Sequence, residues 1–155
     1  MPRNSNKSQY KKKGNRIIYI LRSPIGKEFY INHCQHESLM PIFRQHCAGQ
    51  RFQTSTCLNE LKLKGLLPCL YILDEIYATP VEAYSHVIAW TKIMIDAGYT
   101  SLNQGSIMDY IEDLYEKSEL IYNKNKVKNL QDICNCSKCI VSHYRNKRCP
   151  LYAGE

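Results

Sequence analysis

Four residues near the end of the chain, Cys136, Cys139, His143 and Cys149, have the types and spacing to hold a zinc ion. Three thiolates and one imidazole complete a tetrahedral set, and the Cys-x2-Cys pair brings two sulfurs to one ion. Cys134 can replace one ligand. Zinc bound here would fold a segment that has no core of its own. Lys138, Arg145, Lys147 and Arg148 surround the set and would lie at phosphate distance on such a knuckle. The alternative is free thiols in a tail without structure. Cys34, Cys47, Cys57 and Cys69 are scattered. No apolar run of signal-peptide type follows the basic N-terminus, so thiols or metal ligands are expected rather than disulfides. A looser group, His33, Cys34, His36, His46 and Cys47, reads as ordinary loop and helix residues.

The charges point to a polyanion. The net charge is +7, and its placement is uneven. Residues before Ile17 carry Arg3, Lys7, Lys11, Lys12, Lys13 and Arg16 with no acid. Residues from Tyr122 to Cys149 carry seven basic groups against Asp132 alone. The body between them is mildly acidic. Basic tails on an acidic body suit a nucleic-acid backbone, DNA first and RNA also, while solvated ends are the plainer reading. No stretch approaches the roughly 20 apolar residues of a membrane span. A soluble, intracellular protein (cytoplasmic, or nuclear in a eukaryote) is expected.

Elements must position these groups. Ile17 to Leu21 is a β-branched and aromatic run, and Glu28 to Ile31 follows a Ser-Pro-Ile-Gly turn, so a hairpin is expected. Asn32 to Met40 reads as loop. Pro41 opens a helix over Ile42 to Ala48, stopped by Gly49. Ser55 or Thr56 caps a second helix through Lys64, and Cys69 to Ile76 reads as a strand. Thr79, Pro80 and Glu82 form a capping box for a helix to about Ala97, with Ala83, Val87, Trp90 and Met94 as its apolar stripe. Gly98 stops it, and a last helix is expected over Ile107 to Leu120. The expected class is α+β: a small, mainly antiparallel, three-stranded sheet flanked by helices, with a Cys-rich C-terminal tail. Residues 1–15 form a basic tail, 16–120 the domain, and 121–155 the basic Cys/His-rich tail.

The hairpin resembles that of the GIY-YIG nuclease superfamily. Tyr19 in I-I-Y-I-L falls on the tyrosine of the first triplet, and Tyr30 in F-Y-I-N on that of the second. Gly26-Lys27 matches the glycine-lysine before the second triplet. Phe43-Arg44-Gln45-His46 looks like the helix that carries the family's arginine. The stretch from Trp90 to Asn103 is similar to the helix that ends in glycine and a closing asparagine. The resemblance covers roughly Arg16 to Asn103. Ile17 and Asn32 replace the triplet glycines, and the gap from Tyr30 to Arg44 implies an inserted loop.

What the resemblance implies is phosphodiester hydrolysis in DNA with Mg2+ or Mn2+. Tyr19 would take a proton from water, Tyr30 would orient the water or phosphate, and Arg44 would neutralise phosphate charge. His46 would assist, and Asn103 would hold the site by hydrogen bonds. Lys11, Lys12, Lys13, Arg16, Lys27, Arg145, Lys147 and Arg148 would contact the nucleic acid. The family's metal-binding glutamate falls at Val87, which cannot ligate. Glu82 has its capping role, His86 is turned about 100° away, and Asp109, Glu112 or Asp113 would have to reach in. An endonuclease of weakened activity and an inert nucleic-acid-binding or adaptor subunit are therefore both expected from these residues. Either would serve within a larger protein or nucleoprotein assembly. A zinc-tail interaction module with no nucleic-acid role is a third reading.

Overall fold

In a computed structural model, residues 12–103 and 112–126 are described. The β-branched run becomes the centre of a longer strand, β1 (Gly14–Arg22). It pairs on both sides from Arg16 onward, and with β3 alone at Gly14 and Asn15, which are held extended opposite Ala78 and Tyr77. The Ser23 side chain closes the following turn by accepting from the Gly26 N–H at 3.1 Å. Then β2 (Glu28–Gln35) returns antiparallel.

No loop follows Tyr30. The strand continues to Gln35, and one 3-10 turn, His36–Ser38, leads into α1 (Leu39–Cys47). Asn32 to Met40 is thus strand, turn and helix. Pro41 is the third helical residue, still within the first turn, where a missing N–H costs no intrahelical bond. The chain then runs through α2 (Ser55–Leu63), β3 (Cys69–Ala78), α3 (Pro80–Asp96), β4 (Thr100–Ser101) and α4 (Glu112–Asn125). The residues from Ile107 to Ile111, expected to start the last helix, lie outside the described residues.

Helix α3 begins as its sequence dictates. Thr79 accepts from the Glu82 N–H at 3.1 Å, and Glu82 reaches back to the Thr79 N–H. At the end of α1, Gly49 takes φ 75°. Its N–H donates to His46 O and that of Gln50 to Gln45 O, both at 3.0 Å. Only glycine enters this left-handed turn without cost, and it reverses the chain tightly enough to start α2 six residues later.

The fold is α+β, and the sheet is four-stranded and mixed, in the order β3-β1-β2-β4. The expected three antiparallel strands are present, and a two-residue strand is added. Strand β4 pairs parallel with β2, Glu28 opposite Thr100 and Phe29 opposite Ser101. It arises because α3 ends beside the β2 edge and the outgoing chain needs acceptors for its N–H groups. Thr100 and Leu102 donate to Lys27 O and Phe29 O.

Strand alternation sorts the side chains. Ile18, Ile20, Phe29 and Ile31, each 0% exposed, lie on one face, as does His33, whose ring meets Tyr84 of α3 at 4.5 Å. Ile17, Tyr19, Leu21, Tyr30, Asn32 and Cys34 share the other face, where α1 brings His46 to the tyrosines. Helices therefore cover both faces. Among the described residues, no helix is long and apolar enough to cross a membrane.

Candidate functional site

Tyr19 and Tyr30 come together because the hairpin register places Tyr19 opposite Asn32 and Tyr30 opposite Leu21, on one face. Their ring centroids are 6.4 Å apart. Pairing of β1 with β3 shifts register between Ile18 and Tyr19, so that Leu73 is an extra residue beside the tyrosine. His46 completes the group, with ring centroids 6.4 Å from Tyr19 and 5.1 Å from Tyr30.

The polar atoms form a chain. Thr54 Oγ1 donates to Arg51 O at 3.4 Å and lies 2.7 Å from His46 Nδ1. Neutral His46 donates at one ring nitrogen and accepts at the other, with Nδ1 facing Thr54 and Nε2 facing Tyr19. Tyr19 Oη lies a long 3.5 Å from Nε2. Tyr30 Oη accepts from Asn32 Nδ2 at 2.7 Å.

This chain is sealed. Tyr19 is 2% exposed, Tyr30 7%, His46 1% and Thr54 1%. Burial raises the Tyr19 phenol well above its ordinary range, and the neighbouring Tyr30 and Cys34 push it the same way. Burial raises Tyr30 also, against an opposing hydrogen bond from Asn32. His46 is pushed down to about 4 by burial and then by Arg51. At neutral pH the set is two protonated phenols and a neutral imidazole.

The charge of Arg51 reaches this group and lowers Tyr19, Tyr30, Cys34 and His46 alike. Arg51 sits half-buried in the turn between α1 and α2, and its Nε donates to Gln45 Oε1 at 2.9 Å. Arg44 is exposed on α1. Two residues before His46, it lies about 200° around the helix, away from the tyrosines. The structure does not bring Arg44 to the group. Arg51 and Thr54 escaped the sequence reading because their approach depends on the Gly49 turn; the glycine stop was the available signal.

Asn103 bonds the strand residue next to Tyr30. Its Oδ1 accepts from the Ile31 N–H at 3.0 Å and its Nδ2 donates to Ile31 O at 2.7 Å, so its amide acts as one more rung beside β2. Lys12, Lys13 and Lys27 are exposed, and Arg16 is half-buried, 3.5 Å from His33 Nδ1. Lys11, Arg145, Lys147 and Arg148 lie outside the described residues, as do Cys136, Cys139, His143 and Cys149.

Val87 is 7% exposed and packs in the same core as both tyrosines. Glu82 is held in its capping box. His86 turns to β3, where its Nδ1 lies 3.9 Å from Asp74. Asp109 lies outside the described residues, and Glu112 and Asp113 open α4. Among the described residues, the groups acting electrostatically on the two tyrosines include Arg51, Tyr84 and Cys34 and no carboxylate. Among the described residues, no three His, Cys, Asp or Glu side chains form a metal-binding group. Mg2+ and Mn2+ take oxygen ligands, carboxylates above all. The described residues around Tyr19 and Tyr30 do not fit such an ion. His33 and Cys34, adjacent on β2, point to opposite faces and cannot share a ligand.

Comparison with protein-family models, with curated proteins and with solved structures gave no match.

Proposed function

We propose that this protein binds nucleic acid, DNA in the first place, through a GIY-YIG-like domain whose catalytic centre is closed and inert. The observation that carries this reading is the burial of Tyr19 against His46. A base that must take a proton from water needs access to water and a pKa near the working pH. Tyr19 has neither, and Val87 leaves the group without the carboxylate that would hold a metal. The surface also carries positive charge that suits phosphates: Arg44, Lys12, Lys13 and Lys27 are exposed, and Arg51 is half-buried in the turn between α1 and α2. Zinc at Cys136, Cys139, His143 and Cys149, within a larger nucleoprotein assembly, belongs to the same proposal.

The long contact between Tyr19 and His46 favours one second reading. An opening motion would expose a phenol with an imidazole acceptor beside it, and cleavage would follow if a carboxylate of the 104–113 segment supplied a metal.

Plasmid nicking separates the two. The purified protein is expected to leave supercoiled DNA intact over a wide range of Mg2+ and Mn2+. It is also expected to bind DNA without added metal, with an affinity that falls steeply with salt. Elemental analysis of the same preparation is expected to find about one zinc per chain. Metal-dependent nicking abolished by Tyr19→Phe would establish the second reading, and undetectable or salt-independent binding would sink the first.

A further inference from the structure

The turn between α1 and α2 presents a large aromatic ring to solvent. Phe52 is 80% exposed. A single exposed apolar side chain usually needs no explanation, but the setting of this one does. The residue before it, Arg51, is fixed by Gln45 at 2.9 Å. The Phe52 carbonyl accepts from Ser55 Oγ at 3.1 Å, and the Thr54 N–H donates to Arg51 O. Thr54 is in turn tied to buried His46 at 2.7 Å. The turn that carries the ring is thus held by hydrogen bonds on both sides and tied to the core through Thr54, while the ring itself stands in water.

Charge selects what such a ring would meet. From Leu39 to Gly65 the chain carries Arg44, Arg51, Lys62 and Lys64 against Glu60 alone. An exposed aromatic ring on a segment rich in basic groups matches a nucleobase and its phosphate, because every base offers a π-face and every linkage a negative charge. A paired base keeps its faces covered by its neighbours, so the fit is to an unpaired one.

We propose that Phe52 is a stacking platform for an unpaired base of single-stranded DNA, with Arg51 and Arg44 holding the adjacent phosphates. The proposal rests on the nucleic-acid reading above and narrows it to a class of ligand.

The test uses the full chain and three probes of one sequence: a single-stranded oligodeoxynucleotide carrying 2-aminopurine, its blunt duplex, and the single-stranded RNA counterpart. The single strand is expected to bind more tightly than the duplex at equal salt, with a change in 2-aminopurine fluorescence. Phe52→Ala is expected to weaken single-strand binding by about tenfold or more, the size of one lost base–aromatic stack, and to leave duplex binding unchanged. Phe52→Trp is expected to restore it. Since the side chain is exposed, the melting temperature of both variants should match that of the parent. Equal single-strand affinity of Phe52→Ala and parent, or equal losses on strand and duplex, would overturn the platform while leaving nucleic-acid binding intact. Phe52-dependent binding confined to RNA would overturn the assignment to DNA. Absence of binding to all three probes would remove the nucleic-acid reading itself, and the platform with it.

Discussion

Tyr19 illustrates how much of a residue's chemistry is decided by its surroundings. Its type and position on the hairpin suit a proton acceptor, but burial raises its pKa and seals it behind His46. His46 carries the opposite shift, down to about 4 from an ordinary 6.5, because burial disfavours the imidazolium. That shift has a consequence for stability. Between about pH 6.5 and 4 the unfolded chain binds the proton that folded His46 refuses, so stability is full above this window and is lost as pH falls through it. His33, lowered to about 4 by burial and Arg16, acts in the same direction. Denaturant titrations are expected to show a fall on the order of 2 kcal/mol from His46 across the window. His46→Gln should flatten that slope while weakening the fold at pH 7, where Thr54 and Tyr19 lose their partner. An unchanged slope in the variant would show that His46 is not the group responsible.

Among elements, those with their own sequence punctuation follow the sequence closely. Helix α3 begins at the Thr79-Pro80-Glu82 box and ends before Gly98, as local hydrogen bonding requires. Elements that depend on a partner strand do not. Asn32 to Gln35 contains Asn, His and Gln, yet it is strand because β1 continues beside it as far as Arg16. Likewise Thr100 and Ser101 become a strand only because the β2 edge is there. Asn103 extends this edge with its side chain. Asn103→Ala should leave the Ile31 N–H and carbonyl without partners and speed exchange of the Ile31 amide by about tenfold or more, read by hydrogen–deuterium exchange. Unchanged exchange would mean that the Asn103 amide does not hold β2.

At the scale of the whole molecule, the sheet separates two differently charged sides. The segment of α1 and α2 carries four basic groups and one acid, whereas the described side chains of α3 and α4 include four acids (Glu82, Asp96, Glu116, Glu119) and three lysines. The tyrosine face lies towards α1 and the His33 face towards α3. DNA should therefore approach from the α1–α2 side. Lys62→Gln combined with Lys64→Gln is expected to lower the slope of log affinity against log salt by about two. Lys117→Gln with Lys124→Gln on α4 should leave that slope unchanged. Equal effects from both pairs would place binding on the molecule's net charge rather than on one side.

The sequence by itself determined the hairpin, the capped helix and the α+β class, since local hydrogen bonding and alternation are written in short stretches of chain; that Tyr19 and Tyr30 share a face follows from the hairpin register. It also determined that position 87 holds no metal ligand. Tertiary structure alone decided that the Arg51 charge acts on the tyrosines while Arg44 is exposed on α1, that Thr54 contacts His46, and that the group is buried. Those outcomes depend on how a glycine turn swings one helix end over a sheet face, and on burial, which no single segment can specify.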